Sequence, residues 1–240
     1  MISGDLTFPR PLTTVDVVIF SASTEALHVL LVRRPHSPDE PFPGSWALPG
    51  GFIDIEMDSD LEACALRKLR EKTGLQAPYL EQLGSWGSAK RDPRGWSATH
   101  AYFALISADD RISAEKHAGS QHSNWFRIEG HRVKERLAFD HGDILKAAVT
   151  RLRNKVEYTS LPAFLMPGEF TLSELQRIHE VLLGRALEKK AFRTRMLANN
   201  LLEEAPRKRE GSSRPAQLYR LRNKKKPVYF ARAIAGGKGS

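Results

Sequence analysis

Gly50-Gly51-Phe52-Ile53-Asp54, followed by Asp60-Leu61-Glu62-Ala63-Cys64-Ala65-Leu66-Arg67-Lys68-Leu69-Arg70-Glu71-Lys72-Thr73-Gly74-Leu75, is the stretch that decides the fold. Paired glycines permit a tight loop and a close backbone approach to a ligand. From Asp60 to Lys72 the apolar residues Leu61, Ala65, Leu66 and Leu69 share one face at the spacing of an amphipathic helix. Gly74 is placed to end that helix as a C-terminal cap. Lys68, Glu71 and Lys72 stand at i, i+3 and i+4, so one side of the helix presents three ionic groups together, with Arg67 beside them. Pairing of Arg67 and Lys68 with Glu71 explains part of this pattern. It does not explain Lys68 and Lys72, which repel at i, i+4 by ~0.2–0.5 kcal/mol.

Flanked by Leu48-Pro49 and by Thr73-Gly74-Leu75, the stretch resembles the Nudix box, G-x5-E-x7-R-E-U-x-E-E-x-G-U with U aliphatic. The resemblance implies a loop–helix–loop on a mixed sheet, whose glutamates hold magnesium against a diphosphate. Arg67, Leu69, Glu71, Gly74 and Leu75 keep the pattern, but Lys68 and Lys72 stand where the family has glutamates. Hard divalent cations need anionic oxygen ligands, so this exchange is not neutral at a magnesium site. Between Gly51 and Arg67 lie fifteen residues where the family has thirteen or fourteen, which leaves Glu56, Asp58 and Glu62 as alternatives for the upstream box carboxylate. The expectation is a Nudix fold with no catalytic residue, no metal and no cofactor. The candidate ligand-binding residues are Gly50, Gly51, Arg67, Lys68, Glu71 and Lys72. Downstream, the loop Lys90-Arg91-Asp92-Pro93-Arg94-Gly95-Trp96 adds Arg91 and Arg94 for phosphates. A proline near there resembles Nudix proteins that use ADP-ribose, and Trp86 or Trp96 could stack on adenine if they are not core residues.

The net charge of +9 is unevenly distributed: residues 156–240 hold 17 Lys/Arg against 8 Asp/Glu, while residues 1–155 hold 20 of each. A neutral first part and a basic second part suggest two tasks, one of them polyanion binding. The single cysteine, Cys64, excludes an intrachain disulfide and a cysteine-cluster zinc site, and its apolar neighbours mark it as a small buried hydrophobe. No run approaches the ~18 apolar residues of a membrane span. The first residues do not read as a signal peptide. A soluble cytoplasmic protein is expected.

Val15–Phe20 and Leu27–Val32 read as strands joined by a polar hairpin connection, with further strands near Leu80–Trp86 and His100–Ile106. Trp125-Phe126 begins another ordered segment, and Asp143–Lys155 reads as a closing helix. The expected class is α+β, a mixed sheet sandwiched by helices over residues 1–157, followed by a separate unit over 158–240. That second unit opens clearly. Thr171 is an N-cap, Glu174 completes a capping box, and Phe170 with Leu175 forms a hydrophobic staple. Leu172, Leu175, Ile178 and Leu182 give the buried stripe, and Gly184 stops the helix. Lys189–Leu202 reads as a second helix, with Phe192 and Met196 inward and Lys189, Lys190, Arg193 and Arg195 toward a groove. Arg207, Lys208, Arg209 and Arg214 flank Gly211-Ser212-Ser213 at a hairpin tip; a strand near Gln217–Arg222 follows, then Lys224 to Lys226 and a tail Gly236–Ser240 expected to be disordered. Helix, turn, helix and basic hairpin match the order of a winged helix-turn-helix, whose second helix enters the major groove.

Taken whole, the sequence resembles the NrtR family of Nudix-related transcriptional regulators. The most specific features are the Gly50–Asp54 and Arg67–Gly74 stretches and Phe170–Leu175. That resemblance implies a homodimeric repressor of NAD biosynthesis or related genes. It would bind double-stranded operator DNA through Thr171, Lys189, Lys190, Arg193, Arg195, Arg207, Lys208, Arg209 and Arg214. ADP-ribose or a related nucleotide would be its effector, with no membrane partner. The alternatives are an active ADP-ribose pyrophosphatase with an accessory basic domain and a Nudix-fold protein acting on RNA.

Overall fold

The computed structural model describes residues 10–75, 79–117, 123–198, 200–210, 215–223 and 226–231. Its first part is built on β1 (Leu12–Ala22), β2 (Leu27–Arg33), β3 (Trp46–Ala47), β4 (Gly50–Phe52), β5 (Tyr79–Ser88), β6 (Ser97–Leu105) and β7 (Ser123–Arg127). The sheet runs β3-β2-β1-β6-β5, with β4 joined to β1 and β7 to β2; β1 and β6 are parallel and the other pairs antiparallel. Alternation along β1 and β6 explains the layering. Val15, Val17, Ile19, Tyr102, Ala104 and Ile106 face α1 (Leu61–Thr73), meeting Cys64, Ala65 and Leu69. Val18, Phe20, Ala101, Phe103 and Leu105 face the other way, onto Ile144, Leu145, Ala148, Val149 and Leu152 of α3 (His141–Tyr158). Both sides of β1 are therefore buried, as its continuous apolar run requires. A short helix, α2 (Ala108–His117), was not visible in the sequence pattern: its composition is polar and carries little amphipathic signal.

Asp60 caps α1 by accepting from Ala63 N, and Gly74 ends it at φ 70°. Cys64, rather than the half-exposed Leu66, lies on the inner face of that helix.

The second part contains β8 (Phe170–Thr171), α4 (Leu172–Leu183), α5 (Lys189–Ala198), β9 (Leu202–Arg209) and β10 (Ala216–Leu221), with sheet order β8-β10-β9. The capping box at Thr171 and Glu174 forms as expected, and Gly184 ends α4 at φ 68°. The second helix ends at Ala198, short of the expected Leu202. The apolar spacing from Met196 to Leu201 imitates a continuing helix, but Asn200 adopts φ 51° and Leu202 pairs with Leu221 as the first residue of β9. Asparagine tolerates that left-handed conformation well. The segment between the two parts is not an exposed linker. Leu161–Leu165 forms a buried 3-10 helix, and its side chains join one apolar cluster that runs from Phe103 and Val156 to Phe170, Leu175 and Met196.

Within the α4–α5 contact His179 is fully buried, donating from Nδ1 to Leu175 O at 2.9 Å and meeting Phe192 edge-on at 4.9 Å between ring centroids. Burial pushes its pKa down from 6.5 to about 4. Because the folded value lies below the unfolded one, the unfolded chain binds the proton more readily. Stability is then full above pH 6.5 and declines as pH falls toward 4. The His179 contribution lost over that window is on the order of 3 kcal/mol. Urea denaturation between pH 7 and 4 should show that much less pH dependence in His179→Leu than in the wild-type chain; identical slopes would refute the assignment.

Candidate functional site

A cavity of about 260 Å³ opens where β1, the loop after β2, β4, the end of α1 and the start of α3 converge. Asp16 forms its floor. It lies on the α3 side of β1 and is 5% exposed. His141 Nε2 stands 3.5 Å away and Arg91 Nη2 3.7 Å away. Leu48 N–H donates to His141 Nδ1 at 2.9 Å, which leaves the ring proton on Nε2, facing Asp16. Burial alone would raise the Asp16 carboxyl; the His141 imidazole, the Thr99 hydroxyl and the Arg91 guanidinium outweigh it and hold the group below the usual carboxylate range. Gly50 lies directly over this carboxylate, since a β-carbon there would meet Asp16 Oδ1 at 2.0 Å and Val15 O at 2.6 Å.

The cations around the cavity divide into two kinds. Arg91 is buried and spends its guanidinium on Asp140, through Nε at 2.9 Å and Nη2 at 2.8 Å. Arg94 is clamped on Asp92 and lies over the Phe52 ring at 5.3 Å. Arg34 pairs with Glu40 and lies 4.9 Å from the Phe139 ring centroid. Arg33 and Lys72 also line the cavity, and among the described residues neither has a carboxylate partner. Two uncompensated cations beside two aromatic rings, Phe52 and Phe139, suit a ligand with an anionic and a planar part.

On the face of α1 outside the cavity, one of the three alternatives for the upstream carboxylate is engaged by the box arginine. Asp58 is gripped by Arg67 through Nε at 2.7 Å and Nη2 at 2.6 Å. The Arg67 hydrogen bonds hold the Asp58 carboxyl well below its ordinary range. Arg67 also donates to Glu71 at 2.8 Å, and Lys68 Nζ lies 3.6 Å from the other Glu71 oxygen. Magnesium does not fit this donor set. Glu71 is already paired with two cations, and among the described residues no group of three or more potential ligands is clustered. Lys68 Nζ instead lies 3.2 Å from where a Gly51 β-carbon would stand, which puts a fixed positive charge beside the glycine loop. Cys64 is buried, and burial pushes its thiol up to about 11.

Of the residues expected to bind ligand, Gly50, Gly51, Lys72, Arg91 and Arg94 do line the cavity, while Arg67, Lys68 and Glu71 form the ion-paired support beside it. Arg91, expected on a surface loop, is a buried strut. Trp86 packs against the core and Trp96 is exposed beside Gly87, so neither reaches the cavity. Sequence reasoning missed Asp16, Arg33, Arg34, Phe139 and His141. Only Asp16 carried a signal, as the lone acid within a run of β-branched residues.

On the second part, Lys189, Lys190, Arg193, Thr194 and Leu197 form one exposed face of α5, opposite the buried Phe192 and Met196. Glu188 caps this helix, accepting from Lys190 N at 2.8 Å and Ala191 N at 2.6 Å. Three residues expected to meet nucleic acid are engaged with protein groups. Thr171 is 8% exposed and engaged in the capping box of α4. Arg195 turns to the opposite side of α5, donating to Glu157 O at 3.2 Å and lying over the Phe230 ring at 4.2 Å. Arg209 is paired with Glu174. On the hairpin, Arg207 reaches Glu169, and Lys208 is exposed between them. Arg214, the tip Gly211–Ser213, Lys224, Lys225 and Gly236–Ser240 lie outside the described residues.

This is a Nudix-fold domain carrying a winged helix: residues 10–148 match the NUDIX domain family, and residues 162–221 match the NrtR DNA-binding winged helix domain. The chain belongs to the NrtR family. It is 52% identical over 214 residues to the "ADPR responsive transcriptional repressor NtrR" of Acinetobacter baylyi, covering 89% of this chain and 83% of that one. Its structure is similar to that of Shewanella oneidensis NrtR complexed with a 27mer DNA, with a TM-score of 0.84, 41% identity, and coverage of 93% of this chain and 100% of that one. It is also similar to the isolated NUDIX domain of the same S. oneidensis protein complexed with ADP ribose, with a TM-score of 0.51, 37% identity, and coverage of 63% and 94%. Among the described residues no helix is long and apolar enough to cross a membrane.

The glycine loop gives a direct test. Gly50→Ala must displace either the Asp16 carboxylate or strand β1, which should cost ~1–3 kcal/mol in urea denaturation. Gly142→Ala, which meets nothing within 4 Å on α3, should be neutral or gain up to ~1 kcal/mol. Equal stabilities for the two variants would contradict the close packing of Gly50 on Asp16.

Proposed function

We propose that this chain is a repressor that binds duplex DNA through α5 and the hairpin and loses affinity for it when ADP-ribose, or a nucleotide of the same chemistry, occupies the Nudix cavity. The observation that carries this reading is Lys72. At a position where the box has a metal-ligating glutamate, a cation without a carboxylate partner among the described residues lines the cavity. A pocket that supplies positive charge from its own side chains can hold a diphosphate without magnesium, and its carboxylates, Asp16, Glu40 and Asp92, are each engaged by an arginine rather than left open to a metal. Similarity to a relative named as ADPR-responsive and to a domain complexed with ADP ribose supports the choice of ligand. Lys72 and Arg33 would face the diphosphate, and Phe52 or Phe139 the base.

Calorimetry with ADP-ribose in excess chelator should therefore show binding, and Lys72→Glu should weaken it at least tenfold. The same protein with magnesium should turn over ADP-ribose far more slowly than the ~1 per second ordinary for enzymes. Steady turnover at that rate would establish the alternative, an ADP-ribose pyrophosphatase.

Lys189, Lys190 and Arg193 would enter the major groove, with Lys208 on the phosphate backbone. A two-fold dimer would present two α5 helices ~34–36 Å apart, one turn of DNA or a multiple of it. Arg193→Ala should cost ~1–3 kcal/mol on a specific duplex and little on random DNA, as for a base contact. Lys208→Ala should weaken all DNA alike and flatten the salt dependence, as for a phosphate contact. Gel shifts on a duplex selected by the wild-type chain from a random pool give both readings. If neither variant loses affinity, the basic face does not read DNA.

A further inference from the structure

Helix α3 touches both functional regions. At its start, Asp140 holds Arg91, while His141 bridges the Leu48 amide, two residues before Gly50, and Asp16 on the cavity floor. Along its length it is a poor candidate for bending. Ile144, Ala148, Val149, Leu152 and Val156 are fully buried, and Arg151 and Lys155 are both paired with Glu81 on β5. Its 18 residues span ~27 Å at 1.5 Å per residue. At its end, Glu157 O accepts from Arg195 of α5. A segment that follows the hairpin returns to the same place: Val228 O accepts from Ser160 N at 2.9 Å, Val228 N donates to Ser160 Oγ at 2.9 Å, and Phe230 N donates to Tyr158 O at 2.8 Å. The Phe230 ring then lies against Arg195 at 4.2 Å.

We infer that Arg195 and Phe230 are positioning residues that couple the cavity to the DNA-reading face, with α3 as the rigid connection between them. Arg193 and Arg195 sit two positions apart on α5, so the first faces outward while the second is fixed to the end of α3 and to the returning strap. A displacement of Asp140 and His141 by a ligand reaches α5 along a buried helix that cannot absorb it, and reorients Lys190 and Arg193 without contact between ligand and DNA. Effector control requires only that the ligand bind the two orientations with different affinity.

This inference rests on the function proposed above, and the test separates the two. The full-length wild type, Phe230→Leu and Phe230→Ala are compared in three measurements: ADP-ribose affinity without DNA, affinity for the selected duplex without ADP-ribose, and the duplex affinity at saturating ADP-ribose. Phe230 does not line the cavity, and it packs on Arg195 rather than on the exposed face of α5. Both variants should keep the wild-type ADP-ribose affinity within about twofold, whereas the ligand effect on DNA affinity, typically ~5–150-fold in coupled systems, should collapse toward unity. Phe230→Leu retains apolar packing, so a folded variant is available if the alanine chain is unstable. An unchanged ligand effect in a folded Phe230 variant overturns the strap as the coupling element. Absence of ADP-ribose binding or of any ligand effect in the wild type overturns the proposed function, and this inference with it.

Discussion

Burying the Asp16 carboxylate removes it from water, a cost that only charged or hydrogen-bonding neighbours can offset. Three separate parts of the chain supply them: Thr99 on β6, Arg91 on the loop between β5 and β6, and His141 at the start of α3. Each is thereby fixed in turn. Arg91 carries Asp140 with it, His141 carries the Leu48 amide, and the Gly50 backbone closes over the carboxylate because no side chain fits there. The position of α3, the shape of the cavity and the path of the glycine loop all follow from satisfying one buried acid.

A second set of charges performs the opposite task. The Arg67, Asp58 and Glu71 network, with Lys68, stabilises the box helix and its preceding loop entirely among protein groups. In a site that works through magnesium the same helical face would have to keep its carboxylates available to the metal. Here Glu71 is occupied by two cations and Lys72 is presented to the cavity. The Nudix scaffold is retained, while cations stand at two box positions where the motif has glutamates.

The junction between the two parts is buried, in an apolar cluster that reaches into both. Leu161, Phe164 and Leu165 are buried between α3 and α4, and the Val228–Phe230 strap adds backbone hydrogen bonds to Tyr158 and Ser160. A junction of this kind transmits displacement better than an exposed linker, because close-packed interiors shift between discrete arrangements rather than deform continuously.

Local chemistry was legible in the sequence. Periodicity and β-branched runs placed β1, β2, β5, β6 and β10, and Thr171, Glu174, Gly74 and Gly184 marked helix ends, since caps depend only on neighbours a few residues away. The box substitutions at Lys68 and Lys72 were equally plain, because a motif fixes residue against role. The sequence could not show which charges spend themselves on each other. Arg91 read as a cation for phosphates and Arg195 as one for a DNA groove, yet Asp140 and Phe230, forty-nine and thirty-five positions away, engage them within the protein. The end of α5 was misplaced for a related reason: Leu201 and Leu202 keep a helical spacing, but Leu201 O accepts from Arg222 N and Leu202 pairs with Leu221 as the start of a strand. Composition and spacing determine what each segment can form and what chemistry it carries. Partnership between distant groups, and hence which residues face the ligand, is decided only by the tertiary fold.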